Sequence, residues 1–247
     1  MAKYNVHAGH NPDGKKACGA VGLIKESTEA RKVKNLVIKY LKAQGHTVYD
    51  CTVNDGTSAS NVLTKIVSKC NAHKVDLDVS IHFNSGVGDK KGNDKTTGTE
   101  VLIYSQTSKA KDEATRICKE IAKLGFKNRG VKIRDELFVL RKTNSPALLI
   151  ECCFVDDKDD VELYNADKMA KAIVKGITGK EVVEAFKSYK VKITADILNV
   201  REKASTGAKL VTQVKEGQVY TIVEKSNGWG KLKSGVGWIK LSYTKKV

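Results

Sequence analysis

No uninterrupted apolar run in the 247 residues approaches the ~18 that a membrane-spanning helix needs, which excludes a helical membrane protein. No two of the six cysteines (Cys18, Cys51, Cys70, Cys118, Cys152, Cys153) stand at Cys-x-x-Cys spacing, so a zinc finger fails. Aromatic residues are only 6% of the chain and no RNA- or DNA-binding motif accompanies them, so a nucleic-acid binder would rest on charge alone. The opening Met1-Ala2-Lys3-Tyr4 lacks the basic, apolar, small-residue order of a secretory leader. Synthesis in the cytoplasm is therefore expected, with six reduced thiols used as small buried hydrophobes. Internal repeats, low-complexity tracts and glycine–serine linkers are also missing.

Acidic residues are scarce as well: 28 Asp and Glu stand against 44 Lys and Arg, a formal net charge of +16. Such an excess suits an acidic polymer as partner, whether nucleic acid, anionic membrane or cell-wall polyanion. It is densest at the end of the chain, where residues 187–247 hold 13 basic and 4 acidic residues. The 40% of hydrophobic residues is enough for a buried core, and the length allows one large or two ordinary domains.

Periodicity separates two halves. Strand-like segments Tyr4–Ala8, Thr47–Thr52, Leu77–Phe83, Thr99–Tyr104 and Ala147–Glu151 alternate with helical patterns. The first helix runs from about Ser27 to Gly45 with Val33, Leu36, Val37, Tyr40 and Leu41 on one face. Others are Ala59–His73, Ala110–Leu124 and Asp167–Ile177, with Glu181–Phe186 as a possible continuation. This pattern predicts an α/β fold, a mostly parallel twisted sheet with helices on both faces. Beyond about residue 186, short strands separated by turn residues predict a small all-β barrel.

Five histidines are present. His10 follows a strand and a glycine, His82 closes Asp78–His82, and Glu151 ends Ala147–Glu151. Ligands of open parallel sheets gather beyond the C-terminal strand ends, so all three are expected at one edge. A carboxylate after four apolar residues is expensive to bury without a partner and so marks a site. A mononuclear catalytic zinc takes three protein ligands and leaves one position open. His10 and His82 supply two, and helical phase does not choose between Glu26 and Glu29 for the third. Asn84 and the polar loop Ser85–Gly98 are expected to touch substrate.

Four segments, Ala8-Gly9-His10, Gly22-Leu23-Ile24-Lys25-Glu26, Ser80-Ile81-His82-Phe83-Asn84 and Pro146-Ala147-Leu148-Leu149-Ile150-Glu151, carry a resemblance. In order and spacing they resemble the signature blocks of the zinc-dependent N-acetylmuramoyl-L-alanine amidases of the amidase-3 family. The resemblance implies a catalytic domain over 1–179, Zn2+ held by His10, Glu26 and His82, and Glu151 as catalytic carboxylate. It favours Glu26 over Glu29, and it departs at His7, where many members have Asp. His46 and His73 match no motif position. Leu198-Asn199-Val200-Arg201, Asn227-Gly228-Trp229-Gly230 and Gly237-Trp238-Ile239 resemble a bacterial SH3 (SH3b) module over 187–247, in which the two tryptophans either fill the core or meet a ligand.

The resemblance thus implies a monomeric peptidoglycan hydrolase, an endolysin or autolysin. It would cut the amide between N-acetylmuramic acid and L-alanine after release by a holin or by lysis. Cell wall is the expected partner, with no nucleic acid and no membrane insertion. The rival reading is a wall-binding protein without catalysis.

Overall fold

Strands with both faces covered read as continuous apolar runs, and three such runs form the middle of one sheet. They are β1 (Lys3–Ala8), β3 (Leu77–Asn84) and β6 (Ala147–Phe154), with β2 (Thr47–Asp50), β4 (Thr99–Ile103) and β5 (Asn128–Ile133) outside them, in the order β2-β1-β3-β6-β4-β5. Every pairing is parallel except β4 against β6. The computed structural model describes residues 1–183 and 186–247. It separates into two units, Met1–Val182 and Val183–Val247.

In the first unit, α1 (Glu26–Ala43), α3 (Lys111–Ala122) and α6 (Ala166–Thr178) share one aliphatic core with β1, β3 and β6. The other sheet face is covered by α2 (Ala59–Asn71) and the short α4 (Phe138–Lys142), around Val62, Ile66, Leu140 and Leu149. The apolar stripe of α1 is buried at Val33, Val37, Tyr40 and Leu41. Asn165 caps α6 by accepting from the Asp167 and Lys168 amides, and Gly179 ends it in the left-handed region at φ 71°. Hence no described residue of Glu181–Phe186 continues a helix, while residues 184 and 185 lie outside the described residues. The remaining helix is α5 (Lys158–Leu163), capped by Asp157.

The sheet differs from expectation at β6. It runs past Glu151 to Phe154, because Cys152, Cys153 and Phe154 are buried and Phe154 still pairs with Asn84. Glu151 therefore lies inside a strand rather than at its end. All six cysteines are free thiols, five of them buried.

The second unit is a seven-stranded antiparallel sheet in the order β13-β7-β10-β11-β12-β8-β9. Its strands are β7 (Tyr189–Ile193), β8 (Ile197–Arg201), β9 (Leu210–Lys215), β10 (Val219–Ser226), β11 (Trp229–Leu232), β12 (Trp238–Lys240) and β13 (Thr244–Lys246). A 3-10 turn, Leu241–Tyr243, links the last two. Val191, Ile193, Leu198, Val200, Val214, Ile222, Leu232 and Ile239 close its core. Neither tryptophan belongs to that aliphatic cluster. Trp238 is half-buried with the Lys231 ammonium 5.7 Å from its ring centre. Among the described residues, no helix of the chain is long and apolar enough to cross a membrane.

Candidate active site

Parallel pairing puts His82 and Glu151 side by side on β3 and β6. Two residues past β1, His10 reaches the same sheet edge, and the first turn of α1 brings Glu26 to it. His10 Nε2 stands 3.2 Å and His82 Nδ1 3.0 Å from the same oxygen, Glu26 Oε1. These three side chains can offer ligand atoms all within 4.8 Å of one another, the one such group among the described residues. Glu29 is elsewhere: it pairs with Lys32 and accepts from the Tyr164 hydroxyl.

Backbone clearance makes this convergence possible. A Cβ on Gly9 would lie 1.8 Å from His82 Nε2, and one on Gly19 2.5 Å from Glu26 Oε2. Gly19 also sits at φ 80°, where a side chain is strained.

The electrostatics divide the two glutamates. Burial alone would raise the Glu26 carboxyl, but hydrogen bonds and charge from both imidazoles oppose it, so its pKa falls well below the usual carboxylate range; the Ala20 and Phe83 amides also donate to it. The helix N-terminus adds a favourable field for its charge. Burial lowers the His82 imidazole despite Glu26, which favours its neutral, ligating form. Glu151 behaves oppositely. Burial pushes its carboxyl up to about 8, with Glu26 and Glu100 adding and Arg134 opposing. Its Oε2 is buried and has no hydrogen-bond partner among the described residues.

Asn84 is half-buried and held from both ends, donating to Glu100 Oε1 at 3.1 Å and accepting from the Ser85 amide at 2.8 Å. His7 is fully buried beside the Ser80 hydroxyl at 3.5 Å, and burial pushes it down to about 3. The other two histidines stand apart from the cluster: His46 accepts from the Ala2 amide and His73 stacks on Tyr49.

Three features escaped the sequence reading. Glu100 is buried on β4 opposite Glu151 and accepts from Arg129 Nε at 2.8 Å. Arg31 gives its guanidinium to the carbonyls of Ser27, His10 and Val53 and to the Asn54 side chain, tying α1 to the segment that carries His10. The acidic run 156–160 fastens the polar loop after β3. Asp156 accepts from the Gly86 and Gly88 amides, Asp159 from Asn93, Asp157 from Thr97 and Asp160 from Gly98. Glu100 directly precedes the apolar run Val101–Ile103, so a carboxylate bordering an apolar strand could have marked it as Glu151 was marked; the other two features have no local signature.

Comparison with known proteins matches residues 5–179 to the N-acetylmuramoyl-L-alanine amidase family and residues 196–245 to the bacterial SH3 domain. An uncharacterized Clostridium perfringens protein is 39% identical over 216 residues, 86% of this chain and 61% of its own length. The endolysin of Bacillus phage SPP1 is 30% identical over 238 residues, 92% of this chain and 78% of that protein. Among solved structures, the catalytic domain of the CD27L endolysin targeting Clostridia Difficile aligns with a TM-score of 0.66. It is 26% identical and covers 74% of this chain and 100% of that one. The chain spans 61% and 57% of the length of two Clostridium perfringens relatives.

Proposed function

The chain belongs to the N-acetylmuramoyl-L-alanine amidase family, and from that premise we propose that it hydrolyses the amide between N-acetylmuramic acid and L-alanine in peptidoglycan. One observation carries the reading: two imidazoles and a carboxylate converge beside a half-buried glutamate whose buried Oε2 has no partner among the described residues.

The donor set fits zinc. Two nitrogens and one carboxylate oxygen suit a borderline-soft ion, whereas calcium and magnesium favour oxygen cages. Both imidazoles also aim at one carboxylate oxygen, an arrangement that a cation among the three would stabilise. His10, Glu26 and His82 would hold it. Bound zinc supplies a Lewis acid that lowers the pKa of water toward ~7 and polarises a carbonyl. Glu26 stays ionised throughout, because the His10 and His82 imidazoles hold its carboxyl low, and the Ala20 and Phe83 amides donate to the same carboxylate. Glu151 Oε2 accepts the proton of the attacking water and passes it to the leaving nitrogen, which departs poorly as an anion. A carboxyl held near neutrality by burial is suited to both transfers. Asn84, locked by Glu100, orients the substrate next to His82.

The second unit serves as a wall-binding module, supported by its bacterial SH3 match and its excess of 13 basic over 4 acidic residues across 187–247. Similarity to a phage endolysin supports a lysin that reaches the wall after release through a holin or by lysis. Digestion of purified peptidoglycan, read by mass spectrometry with and without a chelator, tests the whole reading. Free stem peptides released only without chelator are expected. Reducing sugar ends would mean a glycosidase, and an undigested wall would leave a binding protein.

A further inference from the structure

We propose that the second unit carries a cleft for a short extended peptide ending in a free carboxylate, located where β8 and β12 part. The proposal rests on the reading of this unit as a wall-binding module and names what it grips.

β8 pairs with β9 from Ile197 to Arg201 but with β12 only at Arg201↔Trp238. Beyond that pair the strands diverge around a cleft of about 350 Å3, within the size range of small-ligand sites. Along it, Ile197–Val200 has no second strand beside it among the described residues. An open edge accepts an extended backbone through main-chain hydrogen bonds. Sugar chains and polyol phosphates have no such ladder to offer.

Charge selects further. Arg201 and Lys240 line the cleft and no carboxylate does. Arg201 spends one N–H on the Ala208 carbonyl at 2.7 Å. Its other side-chain donors and the Lys240 ammonium have no partner among the described residues. Two cations without an anion favour a carboxylate, and hydrogen bonds to charged groups are roughly twice as strong as neutral ones.

The remaining walls suit small apolar side chains. Ile197 is 58% and Tyr243 48% exposed, while Trp229 also lines the cleft at only 6% exposure. Trp229 is buried outside the aliphatic cluster and forms the floor of the cleft, so the exposed rings and chains a ligand meets are those of Tyr243 and Ile197.

The test uses the full chain carrying Glu151→Gln, so that walls survive the measurement. Both tryptophans of the protein, Trp229 and Trp238, lie in this unit, so their fluorescence reports on it alone. Four probes are titrated: tetra-alanine with a free C-terminus, its C-terminal amide, glycerol phosphate and chitotetraose. The free acid is expected to bind saturably and the amide about ten-fold or more weakly. Lys240→Gln and Tyr243→Ala, both at solvent-accessible side chains, should each weaken the free acid several-fold with an unchanged melting temperature. Equal binding of acid and amide, no binding of the acid at millimolar concentration, or a Lys240-dependent response to glycerol phosphate or chitotetraose overturns the proposal. Sedimentation with purified walls separates the two levels. If the parent chain sediments and the Lys240→Gln, Tyr243→Ala double variant does so equally, the cleft is wrong and wall binding stands. If the parent chain stays in solution, wall binding itself is wrong.

Discussion

Glu26, at the head of α1, is buried against both imidazoles, and Glu151, inside β6, is half-buried next to His82; the same side chain meets two environments. Glu26 accepts from the Ala20 and Phe83 amides and faces both histidines, and its proton affinity drops. Glu151 keeps one oxygen bare, faces the charges of Glu26 and Glu100, and its carboxyl is pushed up to about 8. Burial raises both, so burial is not what separates them. What separates them is the pair of imidazoles that bond and charge-compensate Glu26, against a bare oxygen and two neighbouring carboxylates at Glu151.

Substitution at each wall sharpens that contrast. Glu151→Gln should lower turnover by ~10²–10⁴ while zinc content and melting temperature stay unchanged; normal release of stem peptides by this variant would erase the division of labour. Glu26→Gln should instead weaken zinc by about 100-fold, at the upper end of what even an outer-shell change costs. Metal content after dialysis measures it, and full retention would show that the imidazoles alone suffice. Arg31→Lys tests whether the α1 wall is held from behind. One ammonium cannot serve the four acceptors that Arg31 reaches, so zinc affinity should fall about 10-fold with helix content preserved.

A third buried carboxylate, at the other end of the sheet, isolates the effect of a missing donor. Asp78 accepts from Asn5 at 2.6 Å, its Oδ2 has no partner among the described residues, and burial pushes it up to about 6. The native state therefore holds this proton more tightly than the unfolded chain. Stability from this group is full below about pH 4 and is lost as pH rises through about 6. Asp78→Asn should match the parent at pH 4 and gain on it by about 1–3 kcal/mol at pH 7, followed by urea unfolding at each pH. A constant difference across that range would mean that the aspartate titrates normally.

Much of this arrangement was legible in the residues. Runs such as Leu77–Phe83 and Ala147–Glu151 announce buried strands, and the stripe through Val33, Val37 and Leu41 announces the face of α1, because burial on one or both sides writes a period into the chain. The edge strand β5, by contrast, is half-exposed and reads Asn128-Arg129-Gly130, with no apolar run to betray it. The antiparallel insertion of β4 beside β6 is equally silent, since a strand's direction leaves no mark on its composition. At the site, His10 stands out just past the first apolar strand, while His82, expected to close its strand, lies inside β3, which runs on to Asn84 because Asn84 still pairs with Phe154. Arg31 does not stand out, because its partners are backbone carbonyls that no sequence distinguishes.

The grip of residues 156–160 on the loop after β3 has a practical corollary. That loop is written in two places: its own residues set the surface it shows, while a distant acidic stretch sets its path. A transplant of residues 85–98 alone between related proteins would carry over only half the design. A chimera that moves both stretches together should keep the donor's conformation, whereas one that moves the loop alone inherits a tether cut for another shape.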